Sequence, residues 1–194
     1  MSPNQLREIK SESSGNRPTE SAGFIFDIGQ DFISEASFRK EYNVLYVVGD
    51  EHFNLLKIYL KHPLIGKVIG DKINLKSANN EFYRIKRISL NQIPPGTVTD
   101  LEEMIKKIVE MEERTRFVKF FNEAKPITLK LHQLKLLPGV GHKRMWAILD
   151  ARKTKLFESY KDIEERTGCN APQVIVKRIL EELTGNEKHI LFTK

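Results

Sequence analysis

Residues 134–146 read LKLLPGVGHKRMW, and within this stretch one apolar helical pattern stops and another starts at once. Gly139 and Gly141, two positions apart, let the backbone turn sharply and leave no Cβ in the way of a visiting group. Gly141 comes just before the second predicted helix, whose first N–H groups have no acceptor within the helix. The stretch therefore predicts either a plain helix–helix turn or a turn that binds an anion.

Basic side chains surround this turn. The chain has 194 residues and a net charge of +6, but residues 1–124 hold 18 Lys/Arg and 18 Asp/Glu. Residues 125–194 hold 14 bases and 8 acids, so they carry the whole excess. Between residues 125 and 155 only one acid, Asp150, accompanies eight bases: Lys125, Lys130, Lys135, Lys143, Arg144, Arg152, Lys153 and Lys155. This concentration indicates a polyanionic partner, with a basic helix face that binds nothing as the alternative.

Helical spacing on both sides of the turn predicts four helices in two hairpins over residues 126–194. Thr128 is placed to cap the first helix, and Ser159 and Asn170 are placed to cap the last two. Residues 189–192, HILF, are expected to add a terminal strand. The expected apolar positions of the first two helices are Leu131, Leu134, Leu137, Met145, Ile148 and Leu149.

Residues 21–96 show strand patterns instead. Five short apolar or alternating runs predict a small barrel or a curled meander. Turns are expected at Gly49-Asp50 and at residues 77–80, and residues 29–41 are expected to form a long loop. Residues 97–125 are helical, with a capping box at Thr99 and Glu102. Their apolar stripe is Leu101, Met104, Ile105, Ile108 and Val109.

Around the turn the chain resembles a known motif. Leu131, Leu134, residues 137–141 (LPGVG) and Ile148 resemble the helix–hairpin–helix nucleic-acid-binding motif. The resemblance implies that amides of the turn hold one backbone phosphate, with an adjacent basic residue, and do not read bases. A second, degenerate hairpin at residues 167–170 lacks Gly-x-Gly, which leaves its role open between phosphate contact and packing. Some hairpins of this kind also bind a monovalent cation through backbone carbonyls, and no other cofactor is expected.

Longer stretches widen the resemblance. Residues 116–153, 157–168 and 175–183 resemble an archaeal family of uncharacterised, predicted RNA-binding proteins. That family joins an N-terminal OB-like barrel to a C-terminal helix–hairpin–helix unit, and over residues 22–94 only strand order and turns are similar. Residues 1–20 are polar and lack an apolar stretch, so they are expected to form a disordered polar arm with no counterpart in that family. The resemblance implies an α+β chain with an OB-like β-barrel at 21–96, a helical connector at 97–125 and a tandem helix–hairpin–helix domain at 126–194. The family's association with genes for ribosomal proteins and rRNA modification favours RNA over DNA, and a ribosome or ribosomal precursor as partner.

The resemblance assigns roles to the residues of the turn. Gly139, Val140 and Gly141 are expected to shape the phosphate site, with His142 beside it and with Lys143 and Arg144 as the leading charges. Supporting contacts are expected from Lys130, Lys135, Arg152, Lys153 and Lys155. On the OB-like barrel, alternation predicts a secondary binding face with two aromatics and two lysines: Phe53, Lys57, Tyr59 and Lys61. Core packing is the alternative for each of its aromatics.

Other function classes are less well supported. A helix–hairpin–helix glycosylase would carry a Val-Asp-x-His segment beyond the turn, and none follows Arg152. A DNA-binding or DNA-repair enzyme of that superfamily, or a protein–protein interaction module, remain the alternatives to a non-catalytic RNA-binding protein. No membrane partner and no small-molecule substrate are expected. Cys169 is the only cysteine, which excludes an internal disulfide and favours the cytoplasm.

Overall fold

The computed structural model describes residues 20–35, 38–63, 66–76 and 81–194. The chain has an α+β fold in which a curled five-stranded antiparallel sheet is followed by five helices. The predicted polar arm, except for Glu20, and the predicted turn at residues 77–80 lie outside the described residues.

The sheet is built around a long hairpin. Its strands lie in the order β4-β1-β2-β3-β5. They are β1 (Ala22–Glu35), β2 (Phe38–Gly49), β3 (Leu55–Leu60), β4 (Lys72–Asn74) and β5 (Phe82–Ile88). The predicted loop over residues 29–41 is therefore wrong, because Gly29 pairs with Val44 and the pairing continues to Glu35 opposite Phe38. This end of the hairpin exposes side chains of both faces, Phe32 and Phe38 among them, so it lacks the alternation by which strands are recognised.

The turn between β2 and β3 also differs from the prediction. Gly49 ends β2, and its N–H donates to the Asn54 carbonyl at 2.9 Å. The Glu20 carboxylate fills this turn, accepting hydrogen bonds from the N–H groups of Glu51, His52 and Asn54 at 3.0–3.2 Å. A Cβ at residue 49 would lie 2.0 Å from Glu20 Cδ. Glycine is therefore needed here for close approach of a side chain and not for a positive φ.

Both faces of the central strands are buried. One face contributes to an apolar cluster that the helices complete, and the other lines a smaller cluster that takes no residue from the helices. The first cluster takes Tyr42, Val44, Tyr46, Val48, Phe53, Leu55 and Tyr59 from β2 and the β3 region. The second takes Leu45, Val47, Leu56, Ile58 and Leu60. A strand buried on both faces reads as a continuous apolar run, so its sequence does not show which face is the core.

The helices follow the sheet in sequence. They are α1 (Val98–Met111), α2 (Lys119–Glu123), α3 (His142–Thr154), α4 (Tyr160–Thr167) and α5 (Ala171–Leu183). A π-helical segment, Glu113–Val118, joins α1 to α2. The predicted apolar stripe of α1 is buried, as expected. The predicted capping box is wrong, because α1 begins at Val98 and its N-cap is Thr97, which makes no side-chain cap.

One apolar cluster unites sheet and helices. It runs from Phe24 in β1 to Phe192 near the last residue. Arg116 crosses it: its guanidinium lies 4.9 Å from the centre of the Phe53 ring and 5.0 Å from that of Phe117. Its Nη1 and Nη2 donate to the carbonyls of Asp50 and Phe192, both at 3.2 Å. The sheet and the helices therefore share a single core.

The predicted terminal strand is absent, since residues 186–194 form no strand. Instead, the Glu182 carboxylate in α5 accepts the N–H groups of Leu191, Phe192 and Thr193 at 2.7–2.9 Å. Arg178 Nε donates to the same carboxylate at 2.9 Å. A buried carboxylate thus supplies the acceptors that a neighbouring strand would have supplied.

Candidate nucleic-acid interface

The glycine turn joins a short 3₁₀ turn to a full α-helix. Before it, the predicted helix with Leu131, Leu134 and Leu137 is only a 3₁₀ turn, Gln133–Leu136. Thr128 does not cap it, because Thr128 Oγ1 accepts the N–H of Leu131 at 3.1 Å within an earlier loop. The N-cap is His132, whose Nδ1 accepts the Leu134 N–H at 3.1 Å. After the turn comes α3, a helix of 13 residues.

The two glycines of the turn have different roles. Gly139 has φ +80°, in the left-handed region that glycine enters without steric cost. Gly141 has an extended backbone, φ −73° and ψ −178°, and a Cβ there would meet nothing within 4 Å. Val140 between them is buried, and its N–H donates to the Leu137 carbonyl at 3.0 Å. The turn is thus fixed to the core by Val140 and open to solvent at Gly141.

The N-terminus of α3 has free hydrogen-bond donors. Gly141 is its N-cap and has no side chain, and the first intrahelical bond is from Met145 N to Gly141 O at 3.0 Å. Among the described residues, the N–H groups of His142, Lys143 and Arg144 have no acceptor. Three adjacent donors and the positive end of a helix dipole form an arrangement that binds anions.

The other two helices of this region are capped by their own side chains. Ser159 Oγ accepts the Asp162 N–H at the start of α4, and Asn170 Oδ1 accepts the Gln173 N–H at the start of α5, both at 3.1 Å. These N-caps are confirmed. The predicted second hairpin, which contains Gly168 at φ +65°, therefore leads into a helix whose first donors are already satisfied in part.

The basic residues near the turn fall into three groups. Lys130, Lys135 and Lys143 are exposed, and none of them pairs with an acid that the structure describes. Arg144 is half-buried, and its Nη1 donates to the Gly139 carbonyl at 2.7 Å, so it braces the turn while lying beside the free amides. Arg144 is thus the second group, and the third consists of Arg152, Lys153 and Lys155.

The third group is engaged elsewhere. Lys153 pairs with Asp150 and Lys155 with Glu158, both at 2.9 Å on the exposed surface. Arg152 donates to the carbonyls of Phe121 and Ala124, both at 2.9 Å, and burial lowers the pKa of its guanidinium from the ordinary value. Arg152 thus ties α3 to the end of α2, a role that its sequence context did not predict.

Trp146 is a surface residue that the sequence interpretation missed. It lies one turn into α3 and is 46% exposed, and its Nε1 donates to His142 Nε2 at 3.0 Å. This hydrogen bond orients His142 beside the free amides. The signal was available in the sequence, since the single Trp of the chain stands two residues after Arg144 in a basic stretch.

The predicted binding face on β3 is wrong in its exposure. Phe53 is fully buried and Tyr59 is 7% exposed, so both rings belong to the core. Lys57 is largely buried, and its Nζ lies 2.5 Å from Asp31 Oδ2. Although burial alone would lower it, the pKa of Lys57 is raised by its hydrogen bond to Asp31. Lys61, just beyond β3, is the one exposed residue of the predicted set.

The described ranges also bear on metal sites, membrane spans and reactive thiols. No group of three His, Cys, Asp or Glu side chains there has metal-binding geometry. No helix among them combines the length and apolar character needed to cross a bilayer. Cys169 is buried, and burial raises the pKa of its thiol to about 11. Its thiolate is therefore disfavoured at neutral pH.

Comparison with known proteins places the chain among archaeal relatives. It is 37% identical over 151 residues to MJ0038, an uncharacterised protein of Methanocaldococcus jannaschii, covering 76% of this chain and 69% of the relative. The crystal structure of Af1531 from Archaeoglobus fulgidus, a DUF655 protein, superposes with a TM-score of 0.76 at 32% identity. That match covers 90% of this chain and 100% of Af1531. The model of the family described as "Protein of unknown function (DUF655)" matches residues 26–194, so the chain belongs to the DUF655 family.

Proposed function

We propose that the chain is a non-catalytic nucleic-acid-binding protein that holds a backbone phosphate at the N-terminus of α3. The observation that carries the proposal is the contrast among neighbouring helices: α4 and α5 are capped by Ser159 and Asn170, whereas α3 begins at Gly141 with no cap. A bare helix start next to Lys143 and Arg144 offers a phosphate both hydrogen bonds and charge.

The architecture in this proposal is that of an OB-like sheet joined to a tandem helix–hairpin–helix unit. The first hairpin comprises the 3₁₀ turn Gln133–Leu136, the glycine turn and α3, and the second comprises α4 and α5. The first hairpin grips the phosphate. The second has packing as its main role, because Asn170 already caps the helix that follows it. A monovalent cation at the carbonyls of the first turn is part of the same proposal.

RNA is the favoured nucleic acid in this proposal, with a ribosome or ribosomal precursor in the cytoplasm as partner. This preference follows from the resemblance to predicted RNA-binding proteins, because a backbone phosphate is common to RNA and DNA. Against catalysis stands the charge pattern, since Asp150, the single acid among the eight bases, is exposed and paired with Lys153. A turn that holds a phosphate, with no unpaired acid among the bases around it, is expected to bind a nucleic acid and not to cleave it.

The test is the salt dependence of binding to a structured RNA, followed by fluorescence anisotropy. Neutralising about three to five phosphates predicts a slope of log affinity against log salt between roughly −2 and −4.5. The same series with a DNA duplex of matched length separates RNA from DNA. Affinity that is nearly constant between low and moderate salt would contradict the proposal, since the phosphate contacts would then contribute little.

A further inference from the structure

Three tyrosines meet at the exposed end of the sheet, on the face that the helices cover further along. Tyr42 in β2 and Tyr59 in β3 are each 7% exposed and meet edge to face, with ring centres 6.1 Å apart. Tyr83 in β5 stacks on Tyr42 with ring centres 4.7 Å apart and planes inclined by 21°. Tyr83 nevertheless remains 42% exposed. Tyr83 is therefore the solvent-facing member of the three tyrosines.

Basic residues share this face with the tyrosines. Residues opposite each other in an antiparallel pair point to the same side, and Arg84 lies opposite Tyr59. Lys40, two residues before Tyr42 in β2, has its Nζ 5.2 Å from the centre of the Tyr42 ring. Lys86 lies two residues beyond Arg84 and therefore on the same side. We call Lys40, Tyr42, Tyr83, Arg84 and Lys86 the tyrosine face.

The charges of the tyrosine face are not paired with any acid that the structure describes. Lys86 lies directly opposite Lys57, and like charges in this position destabilise a sheet. Lys57 is compensated by Asp31. Within the part of the chain that the structure describes, Lys40, Arg84 and Lys86 have no ion pair, and β5 contains three bases and no acid. The face is therefore complementary to an anionic partner.

We propose that the tyrosine face binds a single-stranded segment of nucleic acid, with one base stacked on the exposed side of Tyr83. Lys40, Arg84 and Lys86 contact the phosphates that flank the stacked base. An aromatic ring with cations around it is the arrangement that binds single strands without reading sequence. A base within a duplex cannot stack on the ring, so the ligand is unpaired at this point. The preference for RNA over DNA at this face rests on the proposed function. The stacking of a base rests only on Tyr83 and the cations around it.

The test measures the affinity of the full chain for an unstructured oligo-uridine of about eight nucleotides. Tyr83→Ala should lower this affinity by about 5- to 140-fold, the usual loss when one stacking ring is removed. Tyr83→Phe keeps the ring and should bind within about twofold of the unmodified chain. Lys86→Ala should reduce the magnitude of the salt slope by about 0.7. Oligo-deoxythymidine of the same length shows whether the strand is RNA or DNA.

The matched control is Phe32→Ala. Phe32 is 46% exposed, similar to Tyr83, and lies under the Arg39 guanidinium at 4.3 Å. Phe32 follows Asp31, which lies opposite Tyr42 in the β1–β2 pair. Because successive side chains of a strand point to opposite faces, Phe32 lies on the side of the sheet away from Tyr42. Its loss should leave oligo-uridine binding unchanged. Equal effects of Phe32→Ala and Tyr83→Ala, or wild-type affinity in a folded Tyr83→Ala chain, would overturn the assignment.

The outcome is separable from that of the proposed function. Gly141→Glu should weaken binding of duplex RNA, which the tyrosine face does not stack, while Tyr83→Ala should leave duplex binding within about twofold. If Gly141→Glu has no effect on duplex RNA but Tyr83→Ala still loses oligo-uridine, the hairpin proposal fails and the tyrosine face stands. The reverse pattern removes the tyrosine face alone.

Discussion

Replacing Gly141 by glutamate should strongly weaken nucleic-acid binding while leaving the protein folded. The position is the uncapped N-cap of α3, with an extended backbone that any residue adopts, and a side chain there would meet no atom within 4 Å at its Cβ. The new carboxylate would lie beside the free amides of α3, where the positive end of the helix favours a negative charge. It would therefore both occupy the site and repel a phosphate.

The magnitude follows from the charge and the geometry. Two like charges at roughly 5 Å interact by about 1 kcal/mol in bulk water and about 3 kcal/mol at the effective dielectric of a protein surface. This corresponds to a loss of affinity between about 5-fold and 150-fold. The effect on folding is smaller, because Gly141→Ala trades a less favourable cap against lower entropy of the unfolded chain, each about 0.5–1 kcal/mol.

The assay compares Gly141→Glu with Gly141→Ala, so that the added charge is separated from the lost glycine. Urea unfolding followed by far-ultraviolet circular dichroism should give a free energy of unfolding within about 1 kcal/mol of the unmodified chain for Gly141→Ala. Anisotropy with a structured RNA then gives the affinity of each variant. If folded Gly141→Glu binds as tightly as Gly141→Ala, the reasoning about the free amides is refuted.

Two further predictions concern the stability of the glycine turn and of the 3₁₀ turn that precedes it. Gly139→Ala should lower the free energy of unfolding by about 1–2 kcal/mol, because φ +80° is unfavourable for any residue with a Cβ. The nearest atom to that Cβ would be Arg144 Nη1, at 3.9 Å, so the cost comes from the backbone; urea unfolding that matches Gly141→Ala would contradict this. The pKa of His132 is lowered by burial and by the charge of Arg152. As the pH falls below about 6.5, His132 therefore binds a proton in the unfolded chain before it does so in the folded chain. The stability that is present above that pH is lost as the pH falls through the lower pKa of the folded state. In His132→Asn, whose amide oxygen can also accept the Leu134 N–H, urea unfolding should show a weaker loss between pH 7 and pH 5, and an unchanged loss would argue against His132 as its source.

The parts of the fold that sequence predicted well are those fixed by local chemistry. Ser159 and Asn170 cap their helices because a short oxygen-bearing side chain satisfies a nearby N–H whatever the tertiary context. The apolar stripe of α1 is buried because its period matches the helix. The glycine at φ +80° likewise lies in the turn where the sequence placed a sharp reversal.

The parts that sequence did not predict depend on distant partners. The exposed face expected for Phe53 and Tyr59 failed because both rings are covered by partners distant in sequence, Phe53 by Arg116 and Tyr59 by Tyr42. Arg152 was predicted to contact phosphate, but in the structure its guanidinium donates to two carbonyls at the end of α2. Tyr83, which is proposed for binding, was missed because exposure of an aromatic ring is a property of packing and not of spacing. Trp146 was missed although its place in a basic stretch was visible in the sequence.

The shared core has a mechanical consequence for any nucleic acid that touches both surfaces. Arg116 joins the β2–β3 turn to the last residues of the chain, which couples the sheet to the helical part. The glycine turn and Tyr83 pack on the same apolar core, so under the two binding proposals the distance between the two contacts is set by the protein and not by the ligand. A ligand that presents a helix and an unpaired stretch at the matching interval gains from both contacts at once, whereas one with a shorter or longer interval engages them singly.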